Sequence, residues 1–258
     1  MVVGSRNNFY LKVFSALMLL ATVVISVCAQ EQTSANPEAE RLLSVAQAAL
    51  EHGQYDDAIR AYRQVVALSK QSPKIAALAY YNAGVLYLRF KEYEDAVNAF
   101  RQSILLDPSS AEANNNLGEA LAALKQYPAA VTAFQRAVAL DANLLIAQFN
   151  MGLTYNQMGQ PQYAEFVYKI LIRDHPEYAL GYDGMAVTLS KSGRARDAIP
   201  LHEKAISLSP DSPFFYYNLG VSYLILGNME KALEQKEKLL QLDPLAANRL
   251  AILIAKHQ

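Results

Sequence analysis

From Ala39 to the C-terminus, the pattern of apolar and polar positions is helical almost throughout, and it repeats every 34 residues. Small residues return at this step in five consecutive segments, and large aromatic residues return in the first three of them. The series are Gly84, Gly118, Gly152, Ala186 and Gly220, then Ala96, Ala130, Ala164, Ala198 and Ala232, then Phe100, Phe134 and Tyr168. A fixed period of this length is typical of stacked-repeat proteins. Their function usually lies on a long surface rather than in an enclosed pocket.

Each position within a segment has a packing role when Ala77 is taken as position 1. Glycine or alanine at positions 8 and 20 allows two helices, A and B, to approach closely where they cross. Large residues at positions 11 and 24 fill the space beside them. Glycine near position 15 permits a tight turn between the helices. Proline at position 32 cannot continue helix B and closes it before the next segment.

This joint pattern resembles the tetratricopeptide repeat (TPR) family. The resemblance implies an all-α fold, an α-solenoid of about six TPR helix pairs that forms a right-handed superhelix with a C-terminal capping helix. The expected repeats lie near residues 39–72, 77–110, 111–144, 145–178, 179–212 and 213–246, with the cap at 247–257. Four extra residues are expected in the turn at Lys70 to Lys74. Pro200 lacks an amide hydrogen and is predicted to make helix B of repeat five irregular.

The first 29 residues differ from the rest of the chain. Two basic residues, an apolar run from Val13 to Val27 and a small-residue end predict a secretory signal peptide that is cleaved after Ala29. Residues 30–38 are then a flexible polar leader, and residues 39–258 form the solenoid. The protein is predicted to be exported, to the periplasm or out of the cell. Two alternatives remain: residues 13–28 stay as a membrane anchor, or Cys28, the only cysteine, carries a lipid.

Composition narrows the function classes. The formal net charge is −1, and no strongly basic stripe is present, so nucleic acid is not an expected partner. The four histidines are scattered singly, and the chain has no glycine-rich phosphate loop. We therefore expect a protein without enzymatic activity, cofactor or metal. Contact with a membrane is expected only through an uncleaved or lipidated N-terminus.

In the TPR family, helix A of each repeat lines a concave groove. Position 6 of this helix carries Asn82, Asn116, Asn150 and Asn218. An amide side chain offers donors and an acceptor that match those of a peptide bond. A solvated row of such amides is expected to hold an extended peptide by its backbone. The alternative is that the asparagines fix the packing of the helices.

Apolar side chains flank this asparagine row in alternate repeats. Position 5 carries Tyr81, Phe149 and Tyr217, and position 9 carries Val85, Leu153 and Val221. These residues are expected to line the groove, or else to pack between neighbouring A helices. The predicted function is a scaffold that binds extended peptide segments of partner proteins. The alternative is a self-associating assembly factor of the cell envelope that uses the apolar tail at 247–255.

Overall fold

The structure, a computed structural model, describes residues 36–69 and 72–257. The predicted signal peptide, its cleavage site and most of the leader lie outside these residues. Within the described ranges the chain forms thirteen α-helices and no strand. They are α1 (Pro37–Glu51), α2 (Tyr55–Leu68), α3 (Pro73–Arg89), α4 (Tyr93–Leu106), α5 (Ala111–Ala123), α6 (Tyr127–Leu140), α7 (Leu145–Gln157), α8 (Pro161–Asp174), α9 (Ala179–Lys191), α10 (Ala195–Leu208), α11 (Pro213–Ile225), α12 (Met229–Leu242) and α13 (Pro244–Ala255).

The predicted all-α fold is confirmed. Helices α1 to α12 form six A–B pairs in chain order, and each A helix packs against the B helix that follows it. Helix α13 packs on both α11 and α12 and is the capping helix. The chain divides into an N-terminal part that ends at Pro108 and holds repeats one and two, and a C-terminal part from Ser109 that holds repeats three to six and the cap.

In the C-terminal part, neighbouring A helices also contact one another: α5 touches α7, α7 touches α9, and α9 touches α11. These four helices therefore form one continuous layer, which we call the A-helix face. Each B helix connects one A helix to the next in sequence and packs against both. The A-helix face is the surface that corresponds to the predicted groove in this part.

The small residues at position 8 have a direct steric reason. A Cβ atom added to Gly84, Gly118 or Gly152 would lie 2.7, 2.6 or 2.5 Å from the aromatic ring at position 24 of the same repeat. At Gly220, the nearest atom would be Leu250 of the cap, at 2.6 Å. At Gly84, Gly118 and Gly152 the added atom would meet a packed ring closer than any normal carbon contact, whereas at Gly220 the flexible end of the Leu250 side chain would have to shift.

The turn between helices A and B uses the left-handed backbone conformation that the sequence predicts. Gly53, Gly159, Gly193 and Gly227 have φ angles of 70°, 72°, 79° and 71°. Lysine occupies the equivalent place in two repeats, where Lys91 and Lys125 have φ angles of 65° and 61°. Left-handed backbone is costly for a residue with a Cβ atom, so these two turns are held by the packing of the helices around them.

Three local expectations are wrong. The four extra residues before repeat two extend α3 by one turn at its start, from Ala77 back to Pro73, rather than enlarging the preceding turn. The cap begins at Pro244, which occupies the first helical turn behind the N-cap residue Asp243. Helix α10 runs unbroken from Ala195 to Leu208 through Pro200. Pro200 is exposed, so water can reach the carbonyl group that loses its partner.

Candidate functional site

In the N-terminal part, the predicted residues Tyr81, Asn82 and Val85 lie on α3 and are half-buried. The Tyr81 ring packs against the ring of Phe100, with 6.0 Å between the ring centroids. The three side chains therefore anchor in the repeat and still reach solvent. In this part, the asparagine and its apolar neighbours are therefore partly accessible.

In the C-terminal part, the asparagine row is buried. Asn116, Asn150 and Asn218 are 7%, 4% and 9% exposed, so the expectation that these amides are solvated is wrong. Asn150 Nδ2 donates to Asn115 Oδ1 at 3.1 Å and to Glu119 Oε1 at 3.0 Å. Those bonds join repeat four to repeat three. Asparagine at position 6 thus links neighbouring A helices here.

Glu119 completes this cluster. Its Oε1 atom also accepts from Asn115 Nδ2 at 3.0 Å, and Asn115 Nδ2 donates to Asn116 Oδ1 at 3.0 Å as well. Burial raises the pKa of the Glu119 carboxyl group to about 7, although the hydrogen bonds from Asn115 and Asn150 act to lower it. The side chain as a whole is half-buried, and its second carboxyl oxygen, Oε2, is not among the fully buried polar atoms that lack a hydrogen-bond partner.

A second polar cluster joins repeats five and six. Asp183 Oδ2 accepts from Asn218 Nδ2 at 2.8 Å, and Asp183 Oδ1 lies 2.8 Å from His202 Nδ1. His202 Nε2 lies 3.0 Å from Ser222 Oγ, which in turn lies 2.8 Å from Ser190 Oγ. All five side chains are buried. The cluster therefore satisfies its own polar atoms inside the repeat stack.

The order Asp183, His202, Ser222 has the hydrogen-bond connectivity of a nucleophilic catalytic triad. The low solvent exposure of these side chains argues against a catalytic role. Ser222 is 1% exposed and His202 is fully buried, so no substrate can reach the hydroxyl group in this conformation. The His202 ring is enclosed by the packed helices. His202 is therefore a packing residue in this structure.

The apolar candidates divide between packing and surface. Phe149 is 3% exposed, with its ring 6.0 Å from that of Tyr168, so it belongs to the core of repeat four. Leu153, Tyr217 and Val221 are half-buried on the A helices and remain accessible. Val187, at position 9 of repeat five, is half-buried in the same way. Position 9 thus provides an accessible aliphatic side chain in repeats four, five and six.

The N-terminal part also has a cleft that the sequence did not predict. Its volume is about 250 Å³, and α2, α3 and α4 line it. Tyr62, Tyr80 and Tyr87 form its aromatic lining, and Arg63 donates to the Tyr87 hydroxyl group at 2.7 Å. Burial raises the pKa of Tyr62 to about 12. None of the predicted groove residues lines this cleft.

The comparison with protein families identifies the class of protein. Tetratricopeptide repeat profiles match residues 45–103, 81–144, 146–178 and 203–234. Because these matches together cover more than half of the chain, it belongs to the tetratricopeptide repeat family. Members of this family generally serve as scaffolds for protein–protein interaction. No curated protein sequence matches the chain.

Solved structures agree with this assignment. The chain is similar to PilW, described as a widely conserved type IV pilus biogenesis factor, with 25% identity and a TM-score of 0.66 over 81% of this chain and 96% of that one. MamA is similar with 27% identity and a TM-score of 0.57, over 64% of this chain and 95% of that one. A tetratricopeptide repeat protein from Parabacteroides merdae has 14% identity and a TM-score of 0.70, with 80% of each chain covered, and supports the fold alone.

Sequence reasoning missed both polar clusters, although the signals were present. Asp183 and His202 replace residues that are aromatic at positions 5 and 24 of repeat four. Glu119 likewise replaces the aliphatic residue found at position 9 in repeats two, four, five and six. A polar residue at a position that is otherwise apolar, paired with a second one nearby, is the pattern that would have revealed them.

Proposed function

We propose that this protein is an interaction scaffold of the cell envelope that holds an extended segment of a partner protein on its A helices. Membership of the tetratricopeptide repeat family supports the scaffold. The binding surface is inferred from one observation. Half-buried aliphatic side chains occupy position 9 on successive A helices that contact one another, and these side chains are Leu153, Val187 and Val221. Such a row offers separate apolar anchor points to an extended chain.

The binding residues in this proposal are those that remain accessible. They are Tyr81, Asn82 and Val85 in the N-terminal part, and Leu153, Tyr217 and Val221 in the C-terminal part. Asn116, Asn150 and Asn218 have a supporting role, because their amides are buried between helices. Phe149 supports repeat four from inside. Each part thus offers mainly apolar contacts to a partner.

The envelope location has two supports. The N-terminal sequence has the form of a signal peptide, and PilW, which is 25% identical, is a pilus biogenesis factor. In the described part of the chain, no helix is both long and apolar enough to cross a membrane. N-terminal sequencing of the native protein tests the export route. A start at Gln30 supports cleavage, whereas an intact Met1 or a lipid on Cys28 indicates an anchored protein.

Site-specific photo-crosslinking in living cells tests the binding surface. A photoreactive amino acid replaces Leu153 or Val221 on A helices and, as the matched control, Leu233 on helix α12, which is exposed. We expect a crosslinked partner protein from the two A-helix positions and none from Leu233. Equal yields from all three positions would contradict the proposal.

Self-association is the second candidate, and one observation favours it. Leu245 and Ile252 on the capping helix are 66% and 49% exposed, which leaves apolar surface at the end of the stack. The same crosslinker at Ile252 tests it. A crosslink to a second copy of the chain, abolished by Leu245→Glu, would support self-association. The absence of such a crosslink leaves the scaffold as the better proposal.

A further inference from the structure

We propose that the Glu119 carboxyl group receives a lysine or arginine side chain of the partner segment on the A-helix face. This inference rests on the scaffold function proposed above and adds the charge that the partner must carry. Glu119 occupies position 9 of repeat three, the same position that carries Leu153, Val187 and Val221 in the three following repeats. At position 9, the A-helix face therefore carries one acidic side chain in repeat three and an aliphatic side chain in each of the three repeats that follow.

The carboxyl group is oriented by its neighbours. Asn115 Nδ2 and Asn150 Nδ2 both donate to Oε1, each at 3.0 Å, and they reach it from two different A helices. Within the described residues, Oε2 has no hydrogen-bond or ion-pair partner, and it is not one of the fully buried polar atoms that lack one. One oxygen is thus fixed to the protein, and the other remains available to a donor from outside.

The electrostatic state of the site favours a cation as this donor. Burial raises the pKa of Glu119 to about 7, because the two neutral amides do not fully compensate the ionised form. A cationic side chain at Oε2 would supply the missing compensation and form a charge-assisted hydrogen bond. The aliphatic stem of lysine or arginine would meanwhile lie against neighbouring apolar surface, as such stems commonly do.

The repeat geometry also sets the spacing that the partner needs. Packed helices lie about 8–10 Å apart, and an extended chain advances about 3.3 Å per residue. One repeat therefore corresponds to about three residues of an extended partner. We expect a basic residue at one end of the segment and apolar residues about every third position after it.

Random dodecapeptides displayed on phage and selected on the immobilised full chain test this inference. Glu119→Gln keeps an oxygen for Asn115 and Asn150 and removes the charge. Glu234→Gln is the matched control, because it removes the same charge from an exposed site on helix α12. We expect the unaltered protein and Glu234→Gln to enrich peptides with one lysine or arginine at a fixed distance from apolar residues. Glu119→Gln is expected to keep the apolar preference and lose the basic one.

A selected peptide then gives the size of the effect. Replacing its basic residue with norleucine should weaken binding to the unaltered protein by at least about tenfold, as expected for a hydrogen bond to a charged group. The same replacement should change binding to Glu119→Gln by less than about twofold, a small part of that effect. Equal losses on both proteins would overturn the inference.

Two outcomes separate this inference from the function on which it rests. Selection of purely apolar peptides, with Leu153→Asp abolishing their binding, would overturn the role of Glu119 and leave the scaffold proposal standing. Peptides that bind equally well to Leu153→Asp, or no enrichment at all, would overturn both.

Discussion

Repeats four and five fill the same pair of positions in different ways. In repeat four, positions 5 and 24 carry Phe149 and Tyr168, whose rings pack at 6.0 Å. In repeat five, they carry Asp183 and His202, joined at 2.8 Å. Both pairs bridge helix A and helix B inside the stack. The backbone of the repeat therefore fixes where two side chains meet, and the local chemistry there can be apolar or polar.

The aromatic and polar pairs also differ in the small residues that lie beside them. The large Tyr168 ring lies over both Gly152 and Gly184, where an added Cβ atom would come within 2.5 and 2.6 Å of it. His202 is smaller, and position 8 of its repeat accommodates Ala186. Gly184 also occupies position 6, where repeats two, three, four and six have asparagine. A single aromatic side chain thus decides the residue type in its own repeat and in the next one.

The largest expected effect comes from breaking the polar pair. Asp183→Ala leaves His202 and Asn218 without their shared acceptor in a buried site, which should cost about 3–5 kcal/mol of unfolding free energy. Urea unfolding of the full chain measures this loss. Asp183→Ala combined with His202→Ala should cost less than the sum of the two single changes. A loss below about 1 kcal/mol for Asp183→Ala would show that the pair contributes little.

The next prediction exchanges glycine and alanine at position 8. It tests whether a large aromatic ring at position 24 requires glycine there. Gly152→Ala places a Cβ atom against the Tyr168 ring and should destabilise the protein by about 1–3 kcal/mol. The reciprocal change, Ala186→Gly, creates no clash and should cost only about 0.5–1 kcal/mol, the usual penalty of glycine in a helix. Thermal unfolding of both variants compares them. Equal losses would mean that the ring can move away and that glycine is not required.

Repeat three adds a cluster of amides around a carboxyl group, and its signature is pH-dependent stability. The pKa of Glu119 in the folded protein, about 7, lies above its usual value of 4.5. Its stabilising contribution is therefore complete below about pH 4.5 and is lost as the pH rises through about 7. Between pH 5 and pH 8, the loss should be on the order of 1–2 kcal/mol, allowing for partial exposure.

Comparison with Glu119→Gln isolates this contribution. The variant cannot ionise at this position, so its unfolding free energy should vary less over the same pH range. Glu234→Gln, on an exposed site, should follow the unaltered protein. A pH profile that is identical in Glu119→Gln and the unaltered protein would exclude Glu119 as its source.

Small effects of opposite sign are expected in the A–B turns, where repeats three and four differ again. Lys125 has a φ angle of 61° and Gly159 one of 72°. Lys125→Gly should stabilise the protein by about 0.5–1 kcal/mol, because glycine adopts this conformation without strain. Gly159→Ala should destabilise it by about 1–2 kcal/mol. Paired denaturation curves measure both changes, and a loss of stability in Lys125→Gly would contradict this account.

The repeat architecture was predictable because it depends on local rules. The 34-residue period, glycine at the turns and small residues opposite large ones follow from backbone sterics, which act in the same way in every repeat. The six helix pairs and the cap follow from them. Even the departures at Asp183, His202 and Glu119 were visible as polar residues in apolar positions.

The tertiary structure alone decided which side chains face solvent. Positions 5, 6 and 9 lie on one stripe of helix A, and the sequence places that stripe only to within a small rotation of the helix. In the C-terminal part, that rotation buries Asn150 against Asn115 and Glu119, whereas Leu153 stays accessible. Hydrogen bonds between residues about one repeat apart depend on the exact approach of two helices. Periodicity describes each helix separately and carries no information about that approach.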